Sequence, residues 1–291
     1  MKKKKNNSTI LLVLILLVGI SLILYPSVSD YWNSFHQSRA ITYYAEAVAE
    51  IDNELYLALW NSAREYNRRL AEIGVQWKPS EELLEAYERE LSVSGSGVMG
   101  YIEIPKIGCQ LPIYHSIRES VLQVAIGHIE GSSLPVGGES THCILSGHRG
   151  LPSARLFTDL DQLKEGDTFL LRILDETLTY QVDQIRIVLP FELDELNILP
   201  GQDLCTLVTC TPYGVNSHRL LVRGHRIENA PEARQIRVTG DAFLIDSAIV
   251  APLVALPMLL ALLVMLLVSS ARKRARRIAL SRLEVKTDEK P

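Results

Sequence analysis

Residues 205–226 read CTLVTCTPYGVNSHRLLVRGHR. Two short apolar runs are joined so that Cys210 closes the first and His218-Arg219 opens the second. In a strand, Leu207 and Thr209 fall on one face and Thr206, Val208 and Cys210 on the other. Thr211-Pro212-Tyr213-Gly214 then breaks the strand. A cysteine in an apolar run is ordinarily a small buried hydrophobe. One that ends a strand beside a turn stands where a side chain can meet a substrate, and both readings are open at this point.

The same texture extends upstream. GYIEIPKI, CILSGH, TFLLRIL and LTYQVDQIRIVL, followed by HRLLVRGHRI, are short β-branched or alternating runs separated by Gly, Pro and Asp turns. Strands at this spacing predict a barrel or sandwich. SARLFTDLDQLK (153–164) and ESVLQVAIGH (119–128) read as short helices between them. Before Tyr101 the character differs. The Ala-, Leu- and Glu-rich stretch from Ala40 to Ile73 predicts helix in one or two segments. Ser80 ahead of Glu81-Glu82 reads as the cap of a further short helix, which ends in the glycines of SVSGSGVMG.

Both ends are apolar. TILLVLILLVGISLILY follows MKKKK, and residues 247–270 run without a charge into ARKRARR. Each stretch is long enough for a bilayer, which takes about 20 residues. The first reads as a retained anchor or a cleaved signal segment. Basic residues on the outer flanks put both termini in the cytoplasm and the middle of the chain outside. The resulting layout is a cytoplasmic start (1–8), an anchor or signal (9–28), a helical extracellular segment (29–96), a β domain (97–228), a linker (229–246), a transmembrane helix (247–270) and a basic cytoplasmic tail (271–291).

Charge follows this partition. The formal net charge is −4; residues 1–25 and 243–291 carry +4 each, which leaves −12 between them. An acidic middle argues against a nucleic-acid partner. On an oxidising side, the four cysteines, Cys109, Cys143, Cys205 and Cys210, raise the question of disulfides. Cys205 and Cys210 point to opposite faces of one strand and cannot pair with each other. No CxxC or HExxH pattern occurs, so no metal is expected.

A nucleophilic cysteine needs a group that takes its proton or stabilises the thiolate, and another that holds a developing oxyanion. Of seven histidines, His148 in CILSGHRGLPS also ends a strand, between Gly147 and Gly150, which would let a substrate approach closely. His218 reads equally as a solvated turn residue or a substrate contact. Arg219 and Arg223 lie four apart on one strand face, either solvated or forming a clamp for carbonyl or carboxyl oxygens. Together they make a plausible acyl-transfer site.

TLVTC with an arginine nine residues after its cysteine, and LSGHRG, resemble the motifs of the sortases, the membrane-bound cysteine transpeptidases of Gram-positive bacteria. VMGYIEIPKI, LPIY, SLPVGG, GHRGLPSARLFTDLD and CTPYGVNSHRLLVRG resemble the pilus-assembling class C in particular, over residues 97–227. The resemblance implies a mainly β fold: an eight-stranded barrel with short helices, preceded by a helical segment and flanked by two transmembrane helices. It implies Cys210 as nucleophile, His148 as acid/base and Arg219 as oxyanion or substrate-positioning group, with Arg223 structural. Thr209, Thr211 and His218 stand around them as candidate substrate contacts. The implied partners are proteins with an LPxTG-like sorting signal and an acceptor pilin lysine, with no cofactor. The alternatives are transfer to cell-wall peptide amines, release by hydrolysis and, in another class, a non-catalytic membrane-tethered binding module. Class C members often carry an Asp-Pro-aromatic lid. This chain has no Asp-Pro pair; GVQWKPSEE offers Trp77 and Pro79 in that region, so a degenerate lid is expected.

Overall fold

A computed structural model of the chain describes residues 6–93 and 95–229. It divides into two units at Ser27/Val28, the second of which holds the β domain. Three helices come first: α1 (Asn6–Ala49), α2 (Asn53–Ile73) and α3 (Glu81–Arg89). Strands β1 (Val98–Ile104) and β2 (Cys109–His115), a short α4 (Glu119–Leu122), then β3 (Ile126–His128) and β4 (Thr141–Ser146) follow. Strands β5 (Thr168–Ile173), β6 (Glu176–Val188), β7 (Asp203–Thr211) and β8 (His218–Ile227) complete the set. The eight strands close into a barrel in the order β1-β2-β3-β4-β7-β8-β6-β5. Most pairs are antiparallel, but β2 with β3 and β4 with β7 are parallel. Closure removes the free edges that an open sheet would expose.

Among the described residues one helix, α1 from Val13 onward, is long and apolar enough to cross a membrane, with a mean hydropathy of 2.0 over its most apolar 18 residues. The second expected span, residues 247–270, lies outside the described residues. Within the β-domain unit the later part of α1 is fastened to the barrel by Tyr44. Its hydroxyl donates to the Met99 carbonyl (3.0 Å) and accepts from the Leu174 amide (2.8 Å). Ile41, Tyr44, Val98 and Tyr101 are buried together there.

Helix α2 is amphipathic for the reason its spacing suggests: Trp60, Ala63, Tyr66, Asn67 and Leu70 form one buried face. Asp52 caps it, accepting from the Leu55 amide at 2.7 Å. Ser80 caps α3 in the same way, accepting from Leu83 at 3.3 Å. Asn67 is the polar member of the buried face. Its Nδ2 donates to the Leu134 carbonyl (3.0 Å) and its Oδ1 accepts from the Leu134 amide (2.7 Å). Asn67→Ala leaves the Leu134 amide buried and unpaired, while the carbonyl keeps the Val136 amide (2.8 Å), and chemical denaturation should show a loss of about 1–3 kcal/mol.

Two helical expectations need correction. Residues 153–164 form turns with one 3-10 turn, Leu160–Gln162. Leu156 and Phe157 are buried, and the Phe157 amide donates to the His148 carbonyl (3.1 Å) rather than to a helical partner. In 119–128 helix α4 stops after four residues, because the Ile126–His128 backbone pairs with both β2 and β4. In both places tertiary pairing overrides local propensity.

Candidate functional site

The barrel order sets β7 between β4 and β8. On the β8 side, Cys210 is the direct partner of Arg219. On the β4 side the parallel register is set by the pairs Cys143↔Cys205 through Ser146↔Val208. Two more residues along each chain lead to His148 and Cys210. The register is held over that gap: the Gly147 amide donates to the Val208 carbonyl (3.1 Å) and the Thr209 hydroxyl donates to the Gly147 carbonyl (2.8 Å). Cys210 and Arg219 thus sit side by side on neighbouring strands, about 5 Å apart in backbone spacing, and His148 follows two residues past the end of β4 on the other side of β7. Residues directly opposite share a face, so the three side chains belong to the outer side of the barrel wall.

The same parity continues down each strand. Ile144, Val208 and Leu221 lie on that outer face and join Leu196 in a buried apolar cluster. Trp77, Ile129, Val188 and Leu193 pack against it. The result is an apolar floor that leads along β7 to the Cys-His-Arg row. Residues 193–196, between β6 and β7, form one wall. His142 pins this wall: its Nδ1 donates to the Asn197 carbonyl (2.8 Å), and its Nε2 bonds the Thr206 hydroxyl (2.7 Å). The carbonyl can only accept, so the proton is on Nδ1. Burial pushes His142 down to about 4 and keeps it neutral at physiological pH.

The four cysteines occupy unlike surroundings. Cys210 is partly exposed, whereas Cys143 and Cys205 are buried in the barrel core. Cys109 turns its Sγ onto the Leu156 carbonyl (3.9 Å), and burial pushes this thiol up to about 12. Only a thiolate attacks an acyl carbon, so Cys109 is poorly placed for that work.

Several residues that the motif reading passed over brace the row. The Arg149 side chain is almost buried; it pairs with Asp161 and its Nη1 donates to the Thr211 hydroxyl (3.3 Å). This ties the segment after β4 to the end of β7. Glu119 on α4 places Oε2 3.5 Å from His148 Nε2. The Gln123 amide, and after it the His148 ring, hold the Glu119 carboxyl below its usual range. Arg219 donates from Nη1 to the carbonyls of Asn216 (3.3 Å) and His218 (3.1 Å). Arg223, opposite Thr206 on the same face, forks onto Asp183 at 3.0 and 3.2 Å.

The candidate substrate contacts fall differently. Thr209, Thr211 and His218 have the opposite parity to Cys210 and Arg219. Thr209 and Thr211 are buried and engaged with Gly147 and Arg149, and His218 Nδ1 is bonded to Ser217 at 2.9 Å. Nor do the two glycines flanking His148 leave open space. A Cβ at Gly147 would meet Phe157 at 2.7 Å and Ile126 at 2.8 Å; at Gly150, where φ is +74°, it would meet Tyr213 at 2.9 Å. They admit the protein's own side chains. Among the described residues no group of three or more His, Cys, Asp or Glu is placed to hold a metal ion.

Trp77 lies on the apolar floor, while Pro79, partly buried, directly precedes the Ser80 cap of α3. The Gln76 amide donates to the Gly131 carbonyl (2.9 Å), and a Cβ at Gly131 would stand 2.1 Å from the Gln76 carbonyl oxygen. Backbone docking thus holds this segment in place. The indole covers floor two or more residues short of Cys210, so Trp77→Ala should change cleavage of a short peptide by less than about tenfold, or roughly 1.4 kcal/mol in barrier. A hundredfold gain would show that the ring closes the site.

The Sortase domain family model matches residues 102–227, which contain all three members of the row. Sortase C1 from Streptococcus agalactiae is 56% identical, with a TM-score of 0.65 over 66% of this chain and 100% of that one. Clostridium perfringens sortase C, solved with the C-terminal cell wall sorting motif, is 42% identical, with a TM-score of 0.59 over 66% of this chain and 100% of that one. Sortase A of S. agalactiae serotype III (strain NEM316) is 31% identical over 117 residues, 39% of this chain and 47% of the relative. The chain spans between 47% and 63% of the length of the curated relatives it matches. On the family match and the end-to-end likeness to the 56% identical structure, the chain belongs to the sortase family.

Proposed function

We propose that this protein is a class C-type cysteine transpeptidase that cleaves an LPxTG-like sorting signal between Thr and Gly and joins the freed carbonyl to a lysine of a pilin. The observation that carries this reading is the placement of Cys210 between His148 and Arg219 at the end of an apolar floor. The similar C. perfringens protein was solved with a cell wall sorting motif, which supports a substrate of that kind here.

In this reading the apolar residues of the signal lie at the rim of the apolar cluster, where Ile129, Val188 and Leu193 are only partly buried. The Cys210 thiolate attacks the Thr carbonyl carbon, and the electron pair moves to the carbonyl oxygen, where Arg219 offsets the charge. As the C–N bond breaks, imidazolium at His148 gives its proton to the departing glycine amine. A neutral His148 then accepts a proton from the incoming lysine ammonium, whose reference pKa is near 10.4. The amine attacks the thioester, an isopeptide bond forms and Cys210 leaves as thiolate. Glu119 is the anionic neighbour of His148 through both steps. The barrel faces outside with both termini in the cytoplasm, anchored by α1 and by residues 247–270.

Full-length protein in detergent, a pilin bearing the sorting signal and a second pilin should give a ladder of covalent multimers that survives boiling in detergent. Replacing the acceptor lysine by arginine should stop the ladder and leave the Cys210 thioester intact. Hydrolysed monomer alone, with coupling of the same signal to cell-wall peptide amines, would replace the pilus reading by the anchoring one. No thioester at all would leave the non-catalytic binding module.

A further inference from the structure

The two thiols in the barrel core have no part in this chemistry, yet they stand together. Cys143 and Cys205 are direct partners in the parallel β4–β7 register, and both belong to the interior cluster, so their side chains point the same way. Neighbouring strands lie about 4.8 Å apart, inside the Cα range of about 4.4–6.8 Å that a disulfide needs. Both cysteines are reduced in this structure.

We propose that Cys143 and Cys205 are a redox pair that closes to a disulfide across β4 and β7 and staples the two strands that carry His148 and Cys210. The spacing gives the staple its purpose. His148 lies five residues beyond Cys143, and Cys210 five residues beyond Cys205. A bond between the two cysteines therefore fixes in covalent form the register that aligns the reactive pair. The odd spacing also puts Cys210 on the opposite face of β7, out of reach of its neighbour, so the nucleophile stays a free thiol. Cys109 is separately engaged with the Leu156 carbonyl.

Closure removes two protons and two electrons from the pair. The oxidant is an external disulfide, a small molecule or a thiol-exchange protein, which leaves as two thiols. One cysteine of the pair attacks it as thiolate and forms a mixed disulfide; the other displaces the outer sulfur. Burial works against ionising either thiol. With both residues sealed in the core, exchange takes place while β4 and β7 are still coming together.

An oxidising surrounding is assumed from the outward-facing barrel, and the test separates that reading from the geometry. Full-length protein is isolated from cells with iodoacetamide present at denaturing lysis, then reduced and labelled with N-ethylmaleimide. Peptide mass mapping should find iodoacetamide on Cys109 and Cys210 and maleimide on Cys143 and Cys205, with one cross-linked peptide pair before reduction. In parallel, reduced full-length protein in detergent is unfolded and refolded in a glutathione redox buffer. Closure there but not in cells keeps the pair and refutes the outward-facing barrel. An open pair in both overturns the proposal, as does a disulfide joining any other two cysteines. Reduction of the closed protein should lower its melting temperature by about 5–15 °C and do nothing further to Cys143→Ser or to Cys205→Ala. An equal shift in the variants would show that the bond does not staple the strands.

Discussion

Cys210→Ala protein should form no thioester with a sorting-signal peptide, and its turnover should fall by about a thousandfold or more, while alanine at Cys109 leaves the thioester in place. The size of the effect comes from the chemistry, because removing the nucleophile removes the covalent route itself and leaves only substrate positioning. The discrimination comes from surroundings. Cys109 faces the Leu156 carbonyl with its thiol pushed up to about 12, and Cys143 and Cys205 lie in the core with no path to a peptide. Cys109 and Cys210 are both partly exposed, but of the two only Cys210 is the direct strand partner of a guanidinium, Arg219. Acid trapping of the acyl-enzyme followed by mass spectrometry reads the outcome directly. A covalent adduct recovered from the Cys210→Ala protein would place the nucleophile elsewhere and undo the mechanism.

Much of this site was legible because its parts lie at strand ends. The alternation of CTLVTC put Cys210 on the face of Val208, and the spacing of Arg219 and Arg223 put both on one face of β8; the barrel shows both relations. What the text of the chain cannot display is strand order. The TPYG turn makes β8 the hairpin return of β7, but no residue names β4 as its other neighbour, and the parallel β4–β7 pairing joins segments some sixty residues apart, as in Cys143↔Cys205. The braces were hidden for the same reason. Asp161 and Thr211 become partners of Arg149, and Glu119 a neighbour of His148, only after the chain has folded back. Gly147 misled in a different way. A glycine beside a reactive histidine reads as room for a substrate, but here it makes room for Phe157 and Ile126. Short strands were lost too: β3 has three residues, too few for alternation to show.

Arg219 should prove indispensable as a guanidinium and not merely as a charge. It stands directly across from Cys210, and its Nη1 is oriented by the carbonyls of Asn216 and His218. One end of the planar fork is thereby fixed by the β7–β8 turn, and in the proposed mechanism the remaining donors serve the substrate oxygen. A lysine ammonium is a compact point charge on a flexible stem and cannot satisfy those carbonyls and a substrate oxygen in one geometry. Arg219→Ala should therefore lower kcat by about a hundredfold to a thousandfold, the usual loss for a donor aimed at a developing oxyanion, with KM changed far less. Arg219→Lys should recover less than about tenfold of that. Arg223 provides the control, because it lies on the same face of β8 but is occupied by Asp183 at 3.0 and 3.2 Å. Arg223→Ala should leave kcat within about threefold, since a partly exposed pair of this kind contributes little beyond local rigidity. Peptide cleavage kinetics on the full-length protein and both sets of variants distinguish the roles. Full activity in Arg219→Lys would mean that positive charge alone suffices, and equal losses in Arg219→Ala and Arg223→Ala would mean that the strand, and not the fork beside Cys210, was damaged.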